Sequence, residues 1–190
     1  MKKLIDRLLN DAVVINNSIV KVDHFINHQL DTLLIDEIGE SFADAFSSAT
    51  KILTIESSGI AYAVSTALHL NYIPVVFARK EKSSITSDSL YHSEAFSFTK
   101  QKSSQITVSK NFLNKDDKIL IIDDFLATGS ALKALVAICK QAGASIEGIG
   151  VVIEKSFLNA RDLFKDEDFK IKSLANITQI KDNKLTIEKA

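Results

Sequence analysis

Apolar positions along the chain change their period repeatedly, and the changes predict the elements. Leu30, Leu33, Leu34, Ile38, Phe42 and Phe46 recur at helical spacing, which predicts a helix over Leu30 to Phe46. Lys51-Ile52-Leu53-Thr54-Ile55 reads as a strand, the Ala-rich stretch Ile60 to Leu70 as a helix, and Pro74-Val75-Val76-Phe77-Ala78 as a strand whose first position suits proline. The same alternation returns with Lys118 to Asp123, a helix from about Ser130 to Ala142, and the strand Ile149 to Ile153. Strands and helices taken in turn predict an α/β fold: a central, mostly parallel sheet flanked by helices.

Between Lys80 and Leu90 the chain is polar, serine-rich and without apolar periodicity, which predicts a loop. Ala95 to Thr99 and Gln105 to Val108 then alternate as a two-stranded ribbon. In the tail, Ile171 to Leu174 reads as a strand and Ile177 to Ile187 as a hairpin around Asp182-Asn183. Six glycines, a single proline and no low-complexity tract leave no linker, so residues 1–190 read as one domain.

Composition narrows the classes. With 46% hydrophobic residues over 190 positions the chain buries a core without staples. Its 23 Lys+Arg nearly cancel its 24 Asp+Glu, so no broad field draws in nucleic acid or anionic lipid, and any anion must be held by a local site. The lone Cys139 excludes an intramolecular disulfide and fits a reducing, cytoplasmic setting. No stretch approaches the length of a membrane span, and Asp6-Arg7 interrupts any signal-peptide run. Asn16-Asn17-Ser18 and Asn176-Ile177-Thr178 have the glycosylation spelling but read as ordinary polar loops.

Two junctions carry the chemistry. Lys51 to Gly59 and Lys118 to Ser130 each run from an apolar strand into acid, then into a small-residue turn with a glycine that opens a helix. Ligands of open α/β sheets bind beyond the carboxyl ends of strands, where helix N-termini offer unpaired N–H groups to phosphate. Two such seats predict a substrate with phosphates at two positions. Ala127-Thr128-Gly129-Ser130-Ala131 suits a phosphate cradle built from backbone N–H groups. Asp123 and Asp124 can accept hydrogen bonds from vicinal hydroxyls or orient a magnesium ion. Phosphate, diol and Mg²⁺ together describe a phosphorylated ribose.

The stretch Ile119 to Gly129, an apolar strand, two acids and a Thr-Gly loop, resembles the phosphoribosyl pyrophosphate signature of the type I phosphoribosyltransferases. Val20 to Gln29, Thr54 to Ala61, Val75 to Lys80 and Val152 to Phe157 resemble the bacterial xanthine phosphoribosyltransferases, although Thr128 stands where Asn is expected in that group. The resemblance implies the type I fold with a small hood to which about residues 1–30 contribute, and a homodimer. It further implies transfer of 5-phosphoribosyl from phosphoribosyl pyrophosphate to xanthine with Mg²⁺, giving XMP and pyrophosphate. Guanine or hypoxanthine as acceptor, or a non-catalytic phosphoribosyl-pyrophosphate sensor, are the alternatives.

Residue by residue, Ala127, Thr128, Gly129, Ser130 and Ala131 would hold the 5′-phosphate. Glu56, Ser57, Ser58 and Gly59 stand at the pyrophosphate loop, with Arg79 and Lys80 as cations beside it, and the polar stretch from Lys80 stands at the catalytic loop. Asp123 and Asp124 are the catalytic pair and the candidate metal ligands. Val20, Asn27, Lys155 and Phe157 would contact the purine: a lysine ammonium favours an oxopurine, and Asn27 can read the side where xanthine carries oxygen rather than guanine's amine.

Other motifs are weaker. His24 and His28 have the spacing of a metal pair but no third ligand, and Cys139 sits on the apolar side of a helical pattern. Gly148-Ile149-Gly150 lacks the third glycine of a dinucleotide fingerprint and falls within a strand.

Overall fold

A computed structural model describes residues 1–80, 89–97 and 102–188. The elements are α1 (Lys2–Asp11), β1 (Val13–Ile15), β2 (Ile19–Lys21), α2 (Thr32–Ala45), β3 (Lys51–Ile55), α3 (Gly59–His69), β4 (Val75–Ala78), β5 (Leu90–Ser97), β6 (Lys102–Ser109), β7 (Lys118–Leu126), α4 (Ser130–Ala142), β8 (Ser145–Lys155), β9 (Lys170–Lys181) and β10 (Lys184–Glu188). Two 3₁₀ turns, Ser156–Leu158 and Ala160–Phe164, join β8 to β9. Most of the predicted loop from Lys80, and Phe98 and Thr99 of the predicted ribbon, lie outside the described residues.

The central sheet has six strands in the order β10-β9-β8-β7-β3-β4. Only β10, at one edge, runs antiparallel to its neighbour, so the mostly parallel sheet expected from the alternating elements is present. Strand periodicity splits the core between the two faces. Ile52, Leu120 and Ile122 pack with Leu4 and Leu8 of α1, Phe42 of α2 and Tyr62 of α3. Leu53, Ile55, Ile119 and Ile121 pack with Leu135 and Ile138 of α4 and with Ile106 and Val108 of β6. Gly148 and Gly150 of β8 serve this packing, since a Cβ at either would strike the Phe46 or Phe42 ring. Cys139 is buried among the α4 core residues, and burial pushes its thiol up to about 12.

The strand order decides where the chemistry sits. From β3 the chain passes through α3 to β4 on one side, and from β7 through α4 to β8 on the other. The boundary between β3 and β7 is therefore a switch point, with both following loops opening at the same sheet edge.

Several elements differ from the sequence expectations. The second helix starts at Thr32 rather than Leu30, because the Asp31 carboxylate accepts the Leu34 N–H and caps it. β7 continues through both acids to Leu126, and β9 is one continuous strand of 12 residues rather than a short strand and a separate hairpin arm. The ribbon starts at Leu90, well before Ala95, because β5 also docks on α4: Gln141 accepts the His92 N–H and donates to the His92 carbonyl. The sequence reading did not anticipate α1 or the β1–β2 hairpin. Leu4 and Leu8, one helical turn apart and both buried, were its available signal for α1.

Both hairpin tips use Asn or Asp at positive φ: Asn16 and Asn17 at 52° and 50°, Asp182 and Asn183 at 51° and 54°. The two tips then dock on each other. Asn17 N–H donates to the Asn183 side chain at 3.0 Å, and Asn183 N–H to the Asn17 side chain at 2.6 Å. The amino-terminal hairpin is thus fastened to the far end of the chain.

Candidate active site

A cavity of about 330 Å³ opens at the switch point. Ile55, Ser58 and Lys80 line it from the first junction, and Asp123, Asp124, Phe125 and the run Ala127–Leu132 from the second. Ala95 and Phe96 of β5, with Ser104 and Ile106 of β6, close the remaining wall. Nothing in the sequence marks this wall, because the docking of a ribbon against a distant loop leaves no local pattern.

The second junction is shaped by its backbone. Gly129 is the N-cap of α4 at φ +77°, in the left-handed region that glycine enters freely. A Cβ there would lie 2.9 Å from Leu163 Cδ1 and 3.4 Å from Ala160 Cβ, so the loop rests against the second 3₁₀ turn. Ser130 Oγ accepts the Phe96 N–H at 2.7 Å, which ties the ribbon to the head of α4. Unpaired N–H groups and the helix dipole make this end favourable for an anion.

Asp123 and Asp124 stand within β7. Asp123 is only 4% exposed; its Oδ1 accepts the Asp124 N–H at 3.0 Å, while Asp124 Oδ1 accepts the Phe125 N–H at 2.8 Å. Burial, followed by the charge of Asp124, pushes the Asp123 carboxyl well above the usual range. A buried carboxylate beside a second one favours a cation or a donating hydroxyl in front of it. The oxygen donor set suits Mg²⁺, which takes one or two carboxylates together with substrate phosphates and water. Among the described residues no group of three His, Cys, Asp or Glu side chains forms a metal cage, His24 and His28 included, so further ligands would have to come from substrate or water.

At the first junction, Glu56 accepts the Lys80 N–H at 2.7 Å through Oε1, and its Oε2 lies 3.6 Å from Arg79 Nε. Glu56 therefore fastens the end of β4 to the loop. The Glu56–Ser57 peptide is cis, Ser57 is exposed, and Gly59 is buried against Thr54 and the Ile122 carbonyl. Ser58 and Lys80 reach the cavity. Arg79 instead borders a neighbouring groove with Phe77 and Phe112, and its backbone pairs with Thr107.

The four predicted purine residues lie outside the lining of this cavity. Val20 is buried on β2 and Asn27 is exposed on the turn before α2. Phe157 is 41% exposed on the first 3₁₀ turn. The Lys155 ammonium donates to the Ser18 carbonyl at 2.8 Å and sits 5.8 Å from the ring centre of Phe125, which does line the cavity. Burial lowers the Lys155 pKa from its ordinary value. Tyr62, a fully buried side chain, donates its hydroxyl to the carbonyl of Ile26, the residue before Asn27, at 2.6 Å. Burial first, and then the charges of Asp124 and Asp123, raise the Tyr62 pKa. In the sequence Tyr62 is not distinguished from any other apolar position on the α3 face, so its role emerges only here.

Comparisons with known proteins follow the same lines. The phosphoribosyl transferase domain matches residues 27–186. The xanthine phosphoribosyltransferase of Streptococcus gordonii is 48% identical over 192 aligned residues, covering 100% of this chain and 99% of that protein. That of Pediococcus pentosaceus is 46% identical over 185 residues, 96% of this chain and 97% of its own. Among solved structures, the adenine phosphoribosyltransferase of Trypanosoma brucei superposes with a TM-score of 0.77 at 19% identity, over 95% of this chain and 82% of that one. The Rhodothermus marinus adenine enzyme gives 0.74 at 18% identity, over 93% and 100%. These two likenesses concern the fold. No helix among the described residues is long and apolar enough to cross a membrane.

Proposed function

Because the chain belongs to the phosphoribosyltransferase family and aligns end to end with xanthine phosphoribosyltransferases, we propose that it transfers 5-phosphoribosyl from phosphoribosyl pyrophosphate to xanthine in purine salvage. The observation that carries the reading is one cavity reached by both junctions, Ser58 and Lys80 on one side and Asp123, Asp124 and the Ala127–Ala131 loop on the other. A sugar with phosphates at two positions needs such a pair of seats.

In this reaction a purine ring nitrogen forms a bond to C1 of the ribose while the bond from C1 to the diphosphate oxygen breaks, and pyrophosphate leaves with the electron pair. The Ala127–Ala131 loop at the head of α4 holds the 5′-phosphate through backbone N–H groups. Ser57, Ser58 and Gly59 at the head of α3, with Lys80, hold the departing diphosphate. Glu56 keeps Lys80 in place and Arg79 contributes charge beside it. Asp123 and Asp124 orient the ribose diol, and Asp124 takes the proton released by the purine. Asp123 and Asp124, together with substrate oxygens, would hold Mg²⁺, which would supply positive charge against the developing diphosphate.

Val20 and Asn27, from a hood to which about residues 1–30 contribute, form the purine side of the site together with Lys155 and Phe157. The Lys155 ammonium stabilises an exocyclic oxygen of an oxopurine, and Asn27 reads the C2 side. The enzyme works in the cytoplasm as a homodimer.

Incubating the protein with Mg²⁺, phosphoribosyl pyrophosphate and each of xanthine, guanine, hypoxanthine and adenine tests the reading. XMP formation with the highest kcat/KM for xanthine is expected. Product from adenine alone, or none from any base, refutes it.

A further inference from the structure

The residues behind the 127–129 loop form a second layer with its own logic. Its base is Glu154, at the carboxyl end of β8, 4% exposed and in register with Leu126, the last residue of β7 before the loop. At the other end of the loop, Gly129 leans on Ala160 and Leu163 of the 3₁₀ turn Ala160–Phe164. Arg161 lies on that turn. Its Nε donates to Glu154 Oε1 and its Nη2 to Glu154 Oε2, both at 2.8 Å. Nη2 also reaches Ser173 Oγ at 3.1 Å, and Nη1 the Ile171 carbonyl at 3.2 Å, both on β9. The Ser173 hydroxyl completes the set by donating to Glu154.

Five residues of 3₁₀ helix have poor hydrogen-bond geometry and little stability of their own. Ala160 and Phe164 anchor the two ends of the turn in the core, and the guanidinium fork, a rigid two-pronged donor matched to a carboxylate, ties its exposed middle to β8 and β9. A backbone cradle for phosphate works only if its N–H groups are already aimed, because any ordering left to the moment of binding weakens affinity. The turn touches Gly129, and Glu154 stands beside the strand position from which the loop departs.

We propose that Arg161 and Glu154 are a positioning pair that holds the Ala160–Phe164 turn against Gly129 and so preorganises the 127–131 loop for the phosphate of phosphoribosyl pyrophosphate. This rests on the phosphoribosyltransferase reading above. Neither side chain lines the cavity, so neither is a catalytic residue.

The test uses the full chain and three variants. R161M breaks the fork. E154M/R161M removes both charges, leaves no unpaired buried carboxylate, and so keeps the domain folded if R161M alone does not. Leu163→Ala loosens the contact with Gly129 and leaves the ion pair intact. Two readouts are taken. In the ligand-free protein, amide hydrogen exchange at residues 128–131 should speed up at least tenfold in each variant, with exchange in β7 and β8 within twofold of wild type. In steady-state kinetics, KM for phosphoribosyl pyrophosphate should rise at least tenfold, with kcat and the KM for xanthine within threefold.

Wild-type exchange at the loop in the double variant and in Leu163→Ala overturns the proposal. So does faster exchange with an unchanged KM for phosphoribosyl pyrophosphate, or an equal rise in both KM values, which is the signature of general loosening. A wild-type protein that forms no nucleotide refutes the enzyme reading instead, and the exchange readout still decides whether the pair orders the loop.

Discussion

Gly129 and Asp123 show how much one position can be asked to do. At Gly129 the backbone needs a positive φ and a neighbour stands where a Cβ would go, so Gly129→Ala suffers from both. It should destabilise the fold by about 2 kcal/mol, the cost typical of a side chain forced into a sparsely populated backbone region. Urea unfolding measures this, and an unchanged midpoint would show that the loop adapts freely. Asp123 has the opposite balance. Burial and the charge of Asp124 outweigh the support its carboxylate gets from the Asp124 N–H and the charge of Lys80, so Asp123→Asn should stabilise the ligand-free protein by ~1 kcal/mol. The same change should cut turnover by about 10²-fold, as loss of a preorganised electrostatic group does. A variant that is both less stable and fully active would remove Asp123 from the site. The acid pair was legible in the sequence because two carboxylates closing an apolar strand are a local pattern. Asp123's depth of burial was not, since it depends on β8 and β3 arriving on either side of β7.

Among elements, the amino-terminal hairpin docks on the tip of β9 and β10, and the turn before α2 docks on α3. Backbone bonds knit that turn, with His28 and Gln29 N–H donating to the Asp23 carbonyl and Asp31 N–H to that of Phe25. Tyr62 adds the one hydroxyl that reaches the turn from α3. Tyr62→Phe strands the buried Ile26 carbonyl, which should cost about 2 kcal/mol in stability. Because Ile26 precedes Asn27, the KM for xanthine should rise severalfold more than that for phosphoribosyl pyrophosphate. Equal changes in the two constants would mean that Tyr62 serves stability alone. Helix and strand periods revealed most elements, including the two helices, α3 and α4, that open at the junctions. They gave no account of Tyr62, whose partner lies 36 residues away and whose spacing matches its apolar neighbours on α3.

Across the whole molecule, the pH response has a definite sign. Burial pushes the Glu154 carboxyl up, but hydrogen bonds from Arg161 and Ser173 and the charge of Arg161 outweigh it and hold the pKa below the ordinary 4.5. A depressed carboxyl stabilises the fold above its unfolded value, and that contribution is lost as pH falls from about 4.5 through the lower folded value. Melting temperatures taken from pH 7 down to pH 3 should therefore fall more steeply in the wild type than in E154M/R161M. Parallel curves would show that the ion pair does not govern acid sensitivity. Asp123 works the other way, because a raised carboxyl withdraws stability as pH increases through its folded value.

The residue order by itself determined the alternation of strands and helices, the two strand-to-helix junctions and the acids between them. Each of these follows from side-chain periods of 2 and 3.6 and from turn chemistry, which act over a few neighbouring positions. Only the tertiary structure decided that β3 lies between β7 and β4, so that two separate junctions open into one cavity. It also decided that Asn17 meets Asn183 across 166 residues of chain, and that Arg161 on a 3₁₀ turn pairs with Glu154 at the end of β8. Such pairings are selected by which packing of the whole chain buries the most apolar surface with its polar groups satisfied, and no local stretch of sequence contains that sum.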